Sequence, residues 1–160
     1  MFQVKYKIIL KLILIFSIFA ILTAYFIQYV LGHEPCNLCL IERIPYILSI
    51  IIISIYLFTQ KFEKKTLIIL SFTFFTATLL SFYHFGIEQG FFNESLICEL
   101  SNNKTLNKEE LLNQLKKTEI VSCKDVTFRF LGLSLATINT VISIILSGIM
   151  IRIIKNYGKN

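Results

Sequence analysis

Four stretches of this sequence run for roughly sixteen to two dozen residues with almost no charge, at about 8–31, 43–58, 66–85 and 131–154. Few folds can accommodate them. A run of about 20 apolar residues, coiled as a helix, matches the hydrocarbon thickness of a bilayer. The chain is 55% hydrophobic and 16% charged. An ordinary soluble domain carries about 25% charged residues, and the deficit here falls in the four runs. In lipid every backbone N–H and C=O needs an internal partner, which a helix supplies within itself. The expected fold is therefore all-α, a single domain over residues 1–160 built as a bundle of four membrane-crossing helices.

The first run begins among Lys5, Lys7 and Lys11 and superficially resembles a secretion signal. It is longer than the apolar segment of such a signal, and no small-residue cleavage site follows it. It reads as a membrane span, with Tyr25 and Tyr29 suited to the interface at its far end. Pro45 lies near the first turn of the second span, where its missing N–H costs little. The third span carries Thr66, Ser71, Thr73, Thr76, Thr78 and Ser81, hydroxyls that can bond back to their own helix or across to a neighbour. The fourth holds Asn139.

Charge sets the expected orientation. Lys5, Lys7 and Lys11, then Lys61, Lys64 and Lys65, then Arg152, Lys155 and Lys159 all fall on one side of a four-span chain, with Glu63 the one acid among them. By the positive-inside rule that side is cytoplasmic, with both termini. The net charge of +6 is thus explained by basic cytoplasmic loops and does not call for a nucleic-acid partner. The connections at about 32–42 and 86–130 then face outward. In the longer one, Asn107 and Glu110 form a helix start ahead of Leu111, Leu112 and Leu115. That short amphipathic helix could rest on the bundle or lie on the membrane surface.

All four cysteines fall in these outward connections: Cys36 and Cys39 in the short one, Cys98 and Cys123 in the long one. Two pairs on one face can pass a disulfide between them by thiolate attack. Besides pairs that are simply reduced and idle, against which the outward topology argues, two other readings stand beside this. One is a zinc site with four thiolate ligands, for which the wide separation of Cys98 and Cys123 is unsuited. The other is a pair of static disulfides, for which a Cys-x-x-Cys loop is a poor staple because it closes so few residues. Arg43 follows Cys39 by four residues, so on one helix the two share a face. Its guanidinium can stabilise a thiolate or a partly reduced acceptor, or it can simply reach lipid head groups. Glu42 reads as a rim charge or ion-pair partner. His84 and Glu88, four apart, close the third span at the same level and suggest an acceptor pocket if the helix persists through Gly86.

Taken together, several segments resemble the DsbB family of bacterial inner-membrane disulfide oxidoreductases. They are Glu34-Pro35-Cys36-Asn37-Leu38-Cys39 with Glu42-Arg43, then Tyr83-His84-Phe85-Gly86-Ile87-Glu88 before Cys98, and Cys123-Lys124-Asp125 leading to Phe130-Leu131-Gly132-Leu133-Ser134. The order and spacing of all four cysteines agree, and the resemblance covers essentially the whole chain. It implies a protein-dithiol:quinone oxidoreductase that takes electrons from a soluble periplasmic thioredoxin-fold oxidase, DsbA, and gives them to membrane ubiquinone or menaquinone. By the same resemblance, Cys98 is attacked by the partner's thiolate and Cys123 is released to relay to Cys36. Cys39 then faces the quinone, with Arg43 at the ring and His84 and Glu88 as further contacts. No metal is expected. The chain departs from the family in having no Trp, so its outer loop carries a lysine- and glutamate-rich helix in place of a Trp-rich segment. The vitamin K epoxide reductases also combine four helices with Cys-x-x-Cys, but their active pair comes late in the chain.

Overall fold

The computed structural model describes residues 2–93, 123, 128–130 and 132–157. Within them the chain forms α1 (Phe2–Tyr29), α2 (Asn37–Ile41), α3 (Ile44–Thr59), α4 (Glu63–Glu88), β1 (Arg129–Phe130), β2 (Leu133–Ser134) and α5 (Leu135–Tyr157). Four segments are long and apolar enough to cross a membrane: Tyr6–Tyr29, Asn37–Thr59, Glu63–Glu88 and Leu135–Tyr157. The all-α four-helix membrane bundle read from the sequence is the fold. Cys98 and the helix expected after Asn107 lie outside the described residues.

Each long helix contributes one stripe to a common core, at the spacing that puts side chains on a single helical face. The stripes are Tyr6, Leu10 and Ile13 on α1; Tyr46, Ile53 and Tyr56 on α3; Leu67, Leu70 and Phe74 on α4; and Leu146, Met150 and Ile153 on α5. Because lipid is as apolar as these side chains, close packing and hydrogen bonds hold such helices together, not escape from water. Ser49 donates to the Ser17 hydroxyl at 3.0 Å, joining α3 to α1. Thr140 donates to the Ser81 carbonyl at 2.9 Å, joining α5 to α4. On α4 itself Thr73, Thr76, Thr78 and Ser81 bond back to carbonyls of their own helix.

Helices pack in chain order, α1 on α3, α3 on α4 and α4 on α5. At the lysine end α1 and α5 also meet, through an edge-on contact of Tyr6 and Tyr157 with ring centres 6.1 Å apart. There the Tyr56 and Tyr157 hydroxyls both donate to the Glu63 carboxylate, at 3.2 and 3.4 Å. At the other end α1 and α5 stand apart, and a cavity opens between them.

The fourth span begins later than the apolar run suggests. Residues 129–130 and 132–134 are not helical: Arg129 pairs with Ser134 and Phe130 with Leu133 in a small antiparallel ladder. Gly132 in the turn has φ +84°, a backbone region that favours glycine. Ser134 then caps α5, its hydroxyl accepting the Thr137 N–H at 3.1 Å. The third span, by contrast, runs further than the sequence reading, through Gly86 to Glu88. The Gly86 carbonyl accepts the N–H groups of Phe91 and Phe92 as the chain folds back. A Cβ at Gly86 would collide with the Phe92 ring, so a glycine suits that approach.

Candidate functional site

The end of α1, the start of α2 and α3, the end of α4 and the start of α5 all lie at the same end of the bundle. This topology gathers residues scattered through the sequence into one polar cluster. Cys36 caps the five-residue α2, with φ −69° and ψ 166°, and its sulfur accepts the Cys39 N–H at 3.3 Å. The cap and the single helical turn bring the two sulfurs to 2.8 Å as free thiols. Closing them to a disulfide needs an approach of only about 0.8 Å.

The two thiols face different surroundings. Cys36 is buried, in a cluster with Leu38, Ile87 and Cys123. Cys123 is itself disulfide-bonded. A free thiol that can become a nucleophile therefore shares a buried cluster with a disulfide, and exchange joins two such groups. Cys39 is partly exposed and lines the cavity. The hydrogen bond shared with Cys39 holds the Cys36 thiol well below the ordinary thiol range; burial opposes this, and the nearby His84 adds to the lowering.

His84 is 2% exposed. Its Nε2 lies 3.6 Å from Cys36 Sγ and its Nδ1 lies 2.9 Å from Glu42 Oε1. Glu42, read from the sequence as a rim charge or ion-pair partner, is buried and pairs with this histidine. Its other oxygen accepts from Asn139 Nδ2 at 2.8 Å, and Asn139 Oδ1 accepts from the Tyr46 hydroxyl at 2.6 Å. Glu88 sits on the far side of the ring, with Oε1 4.0 Å from His84 Nε2. Its Oε2 accepts the Ser134 hydroxyl, so the residue that caps α5 also holds this acid.

The cavity has a volume of about 630 Å³. Apolar side chains of α1, from Phe16 to Leu31, and of α5, from Leu135 to Ile142, form most of its wall. Cys39, Glu42, Arg43, Tyr46 and Asn139 also line it. Arg43 Nη1 donates to Gln28 Oε1 at 2.7 Å, and the guanidinium lies 5.2 Å from the centre of the Tyr25 ring. Arg43 and Cys39 thus share the cavity wall, although the helix is interrupted between them and resumes at Ile44. His84 and Glu88 are not among the cavity's lining residues and stand on the Cys36 side of the thiol pair.

The sequence reading did not single out Asn139, Tyr46 or Gln28 as site residues. A lone amide inside an apolar run was the available signal for Asn139, since such a group needs a partner in lipid. The Cys36, Cys39 and His84 donor atoms lie within 4.8 Å of one another. The four-thiolate zinc site weighed from the sequence is not formed, because Cys123 is committed to a disulfide.

Comparison with known proteins is consistent with this geometry. A family model described as "Disulfide bond formation protein DsbB" matches residues 6–153. An uncharacterised protein of Rickettsia prowazekii (strain Madrid E) is 31% identical over 144 residues, covering 89% of this chain and 84% of that protein. No solved structure matches.

Proposed function

This chain belongs to the DsbB family of disulfide bond formation proteins, and from that membership we propose that it reoxidises a DsbA-like thiol oxidase and passes the electrons to membrane quinone. The observation that carries this reading is the two-sided setting of one thiol pair. Cys36 shares a buried cluster with the disulfide-bonded Cys123, while Cys39 faces an apolar cavity that also presents Arg43.

The cavity suits a quinone in its chemistry. It offers an apolar wall between two helices for an isoprenoid tail, and a cation and hydrogen-bond donors for ring oxygens. When bound, a quinone would supply the two-electron acceptor that lets the dithiol close to a disulfide. The protein's own residues do the rest. The partner's thiolate attacks Cys98 and releases Cys123, which attacks the Cys36–Cys39 disulfide at Cys36. Cys39 leaves as the thiolate at the cavity wall. The second partner thiol then closes the partner's disulfide, freeing Cys98. The Cys98–Cys123 disulfide re-forms through Cys36, leaving Cys36 and Cys39 reduced. Their two electrons and two protons leave through the cavity. Arg43 holds positive charge where negative charge develops.

On this reading the lysine-bearing end of the bundle is cytoplasmic and the cysteine end faces the periplasm of a bacterial inner membrane. The test is anaerobic turnover of purified protein with a reduced DsbA-like oxidase and defined ubiquinone or menaquinone. One hydroquinone should form for each partner disulfide. Partner oxidation that proceeds without hydroquinone, or no oxidation with either quinone, overturns the proposal.

A further inference from the structure

Cys36 and Cys39 must both lose a proton when the pair is oxidised, yet only Cys39 lines the cavity. Cys36 is buried on the other side, and among the described residues its polar neighbours are Cys39 and His84. His84 is also sealed from solvent and is absent from the cavity wall. The proton on this side therefore needs a route. The geometry supplies one: Cys36 Sγ to His84 Nε2 at 3.6 Å, His84 Nδ1 to Glu42 Oε1 at 2.9 Å, and Glu42 at the cavity wall.

Glu42 is fixed for this role from two helices. Asn139 of α5 holds its Oε2 and is itself held by Tyr46, while His84 of α4 holds its Oε1. The adjacent Arg43 is turned toward Gln28 and Tyr25 instead. The titratable groups facing His84 are Cys36, Glu42 and Glu88. Of the two acids, Glu88 lies 4.0 Å from the nitrogen that faces Cys36 and is engaged by Ser134, whereas Glu42 takes the opposite nitrogen in a direct hydrogen bond. An imidazole bonded at both nitrogens, to a thiol and to a carboxylate, can accept a proton on one side and release one on the other.

We propose that His84 and Glu42 form a proton path from Cys36 to the cavity, with Glu42 both holding the imidazole toward the sulfur and passing the proton on. Oxidation of the pair breaks two S–H bonds and forms one S–S bond. Two electrons and two protons pass to the acceptor, a quinone on the reading above, which is reduced to the hydroquinone. Cys39 delivers its proton directly into the cavity. When the pair becomes reduced, Cys36 gives its proton to His84 Nε2 and stands as the thiolate; on oxidation His84 gives its Nδ1 proton to Glu42 Oε1, and the resulting carboxylic acid delivers it to the cavity. The identity of the acceptor rests on the proposed function, whereas the link from Cys36 to Glu42 does not.

The test uses the full-length reduced protein in detergent without quinone, and reads alkylation of Cys36 peptide by peptide across pH. Glu42→Gln should move the Cys36 profile to higher pH by about one unit, a loss of roughly tenfold in alkylation rate on the acid limb, below the wild-type inflection. His84→Gln should move it the same way. Adding Glu42→Gln to His84→Gln should change nothing more, because residues that act through one another are non-additive. Glu42→Asp, which keeps the charge, should recover part of the effect and serves if Glu42→Gln does not fold. In a second arm, hydroquinone formation in a single turnover should fall at least tenfold in Glu42→Gln. An unmoved Cys36 profile, or additive shifts in the double variant, overturns the proposal. If wild-type protein reduces no quinone, the proposed function fails while the alkylation arm still decides the role of Glu42.

Discussion

Replacing Arg43 with alanine separates the two halves of the proposed reaction. The guanidinium is anchored to α1 by the 2.7 Å bond to Gln28 and by its approach to Tyr25, and it shares the cavity wall with Cys39. A hydrogen bond to a charged group contributes about 1.5–3 kcal/mol, so losing one from Arg43 to a developing oxyanion slows quinone reduction by about 10- to 150-fold. The lost aromatic contact costs about 0.5–1 kcal/mol of stability in addition. Arg43→Lys should retain part of the activity, because it keeps the charge but loses the planar donor fork. Thiol exchange between Cys98–Cys123 and the partner should be spared, since Cys123 packs with Cys36 and not at the guanidinium. The assay compares quinone-dependent turnover with single-turnover thiol exchange in the same variant. Equal loss of both would mean that Arg43 supports the fold. Loss of neither would make it a head-group contact only.

Three further outcomes follow from the same geometry. In reduced wild-type protein, the hydrogen bond with Cys39 and the nearby His84 lower the Cys36 thiol well below the ordinary thiol pKa of about 8.5. Its alkylation rate should therefore stay high as pH falls from 8 toward about 6, where an ordinary thiol would slow roughly in step with proton concentration; a profile with that ordinary slope refutes the depressed pKa. Ser134→Ala removes the α5 cap and the Glu88 partner together, and should lower stability by about 0.5–2 kcal/mol in a detergent melt; an unchanged midpoint contradicts the cap. Impermeant thiol reagents applied to intact spheroplasts after reduction should label Cys98 or Cys123, and labelling that requires membrane disruption inverts the proposed orientation.

Much of this arrangement is legible along the chain because it follows from local composition. Uncharged runs announce the spans, and the placement of every cysteine between spans puts the chemistry at one end. The His84–Glu88 spacing also predicts that these two share a face, which α4 realises by continuing through Gly86. What the chain does not announce depends on where distant helices arrive. Glu42 reads as a rim charge or ion-pair partner because it stands next to an arginine at the end of a span, with no sign of which partner it takes. Its burial is created by His84, 42 positions away, and Asn139, 97 positions away. The same long-range packing decides that His84 addresses Cys36 while the cavity lies on the Cys39 side, a division that spacing alone does not encode. The hairpin at 129–134 is hidden for a different reason: strands of two residues carry no period, and their apolar side chains merge into the run that follows.

The central claim is that Cys36 and Cys39 are the junction between disulfide exchange and the acceptor in the cavity. Its most direct measurement is a single anaerobic turnover. Fully reduced protein is mixed with quinone, then quenched in acid, and its disulfides are mapped by differential alkylation and mass spectrometry while hydroquinone is followed optically. The account predicts one Cys36–Cys39 disulfide for each hydroquinone in the first phase, and no hydroquinone from Cys39→Ser. Hydroquinone that forms without that disulfide, or that persists in Cys39→Ser, would contradict it.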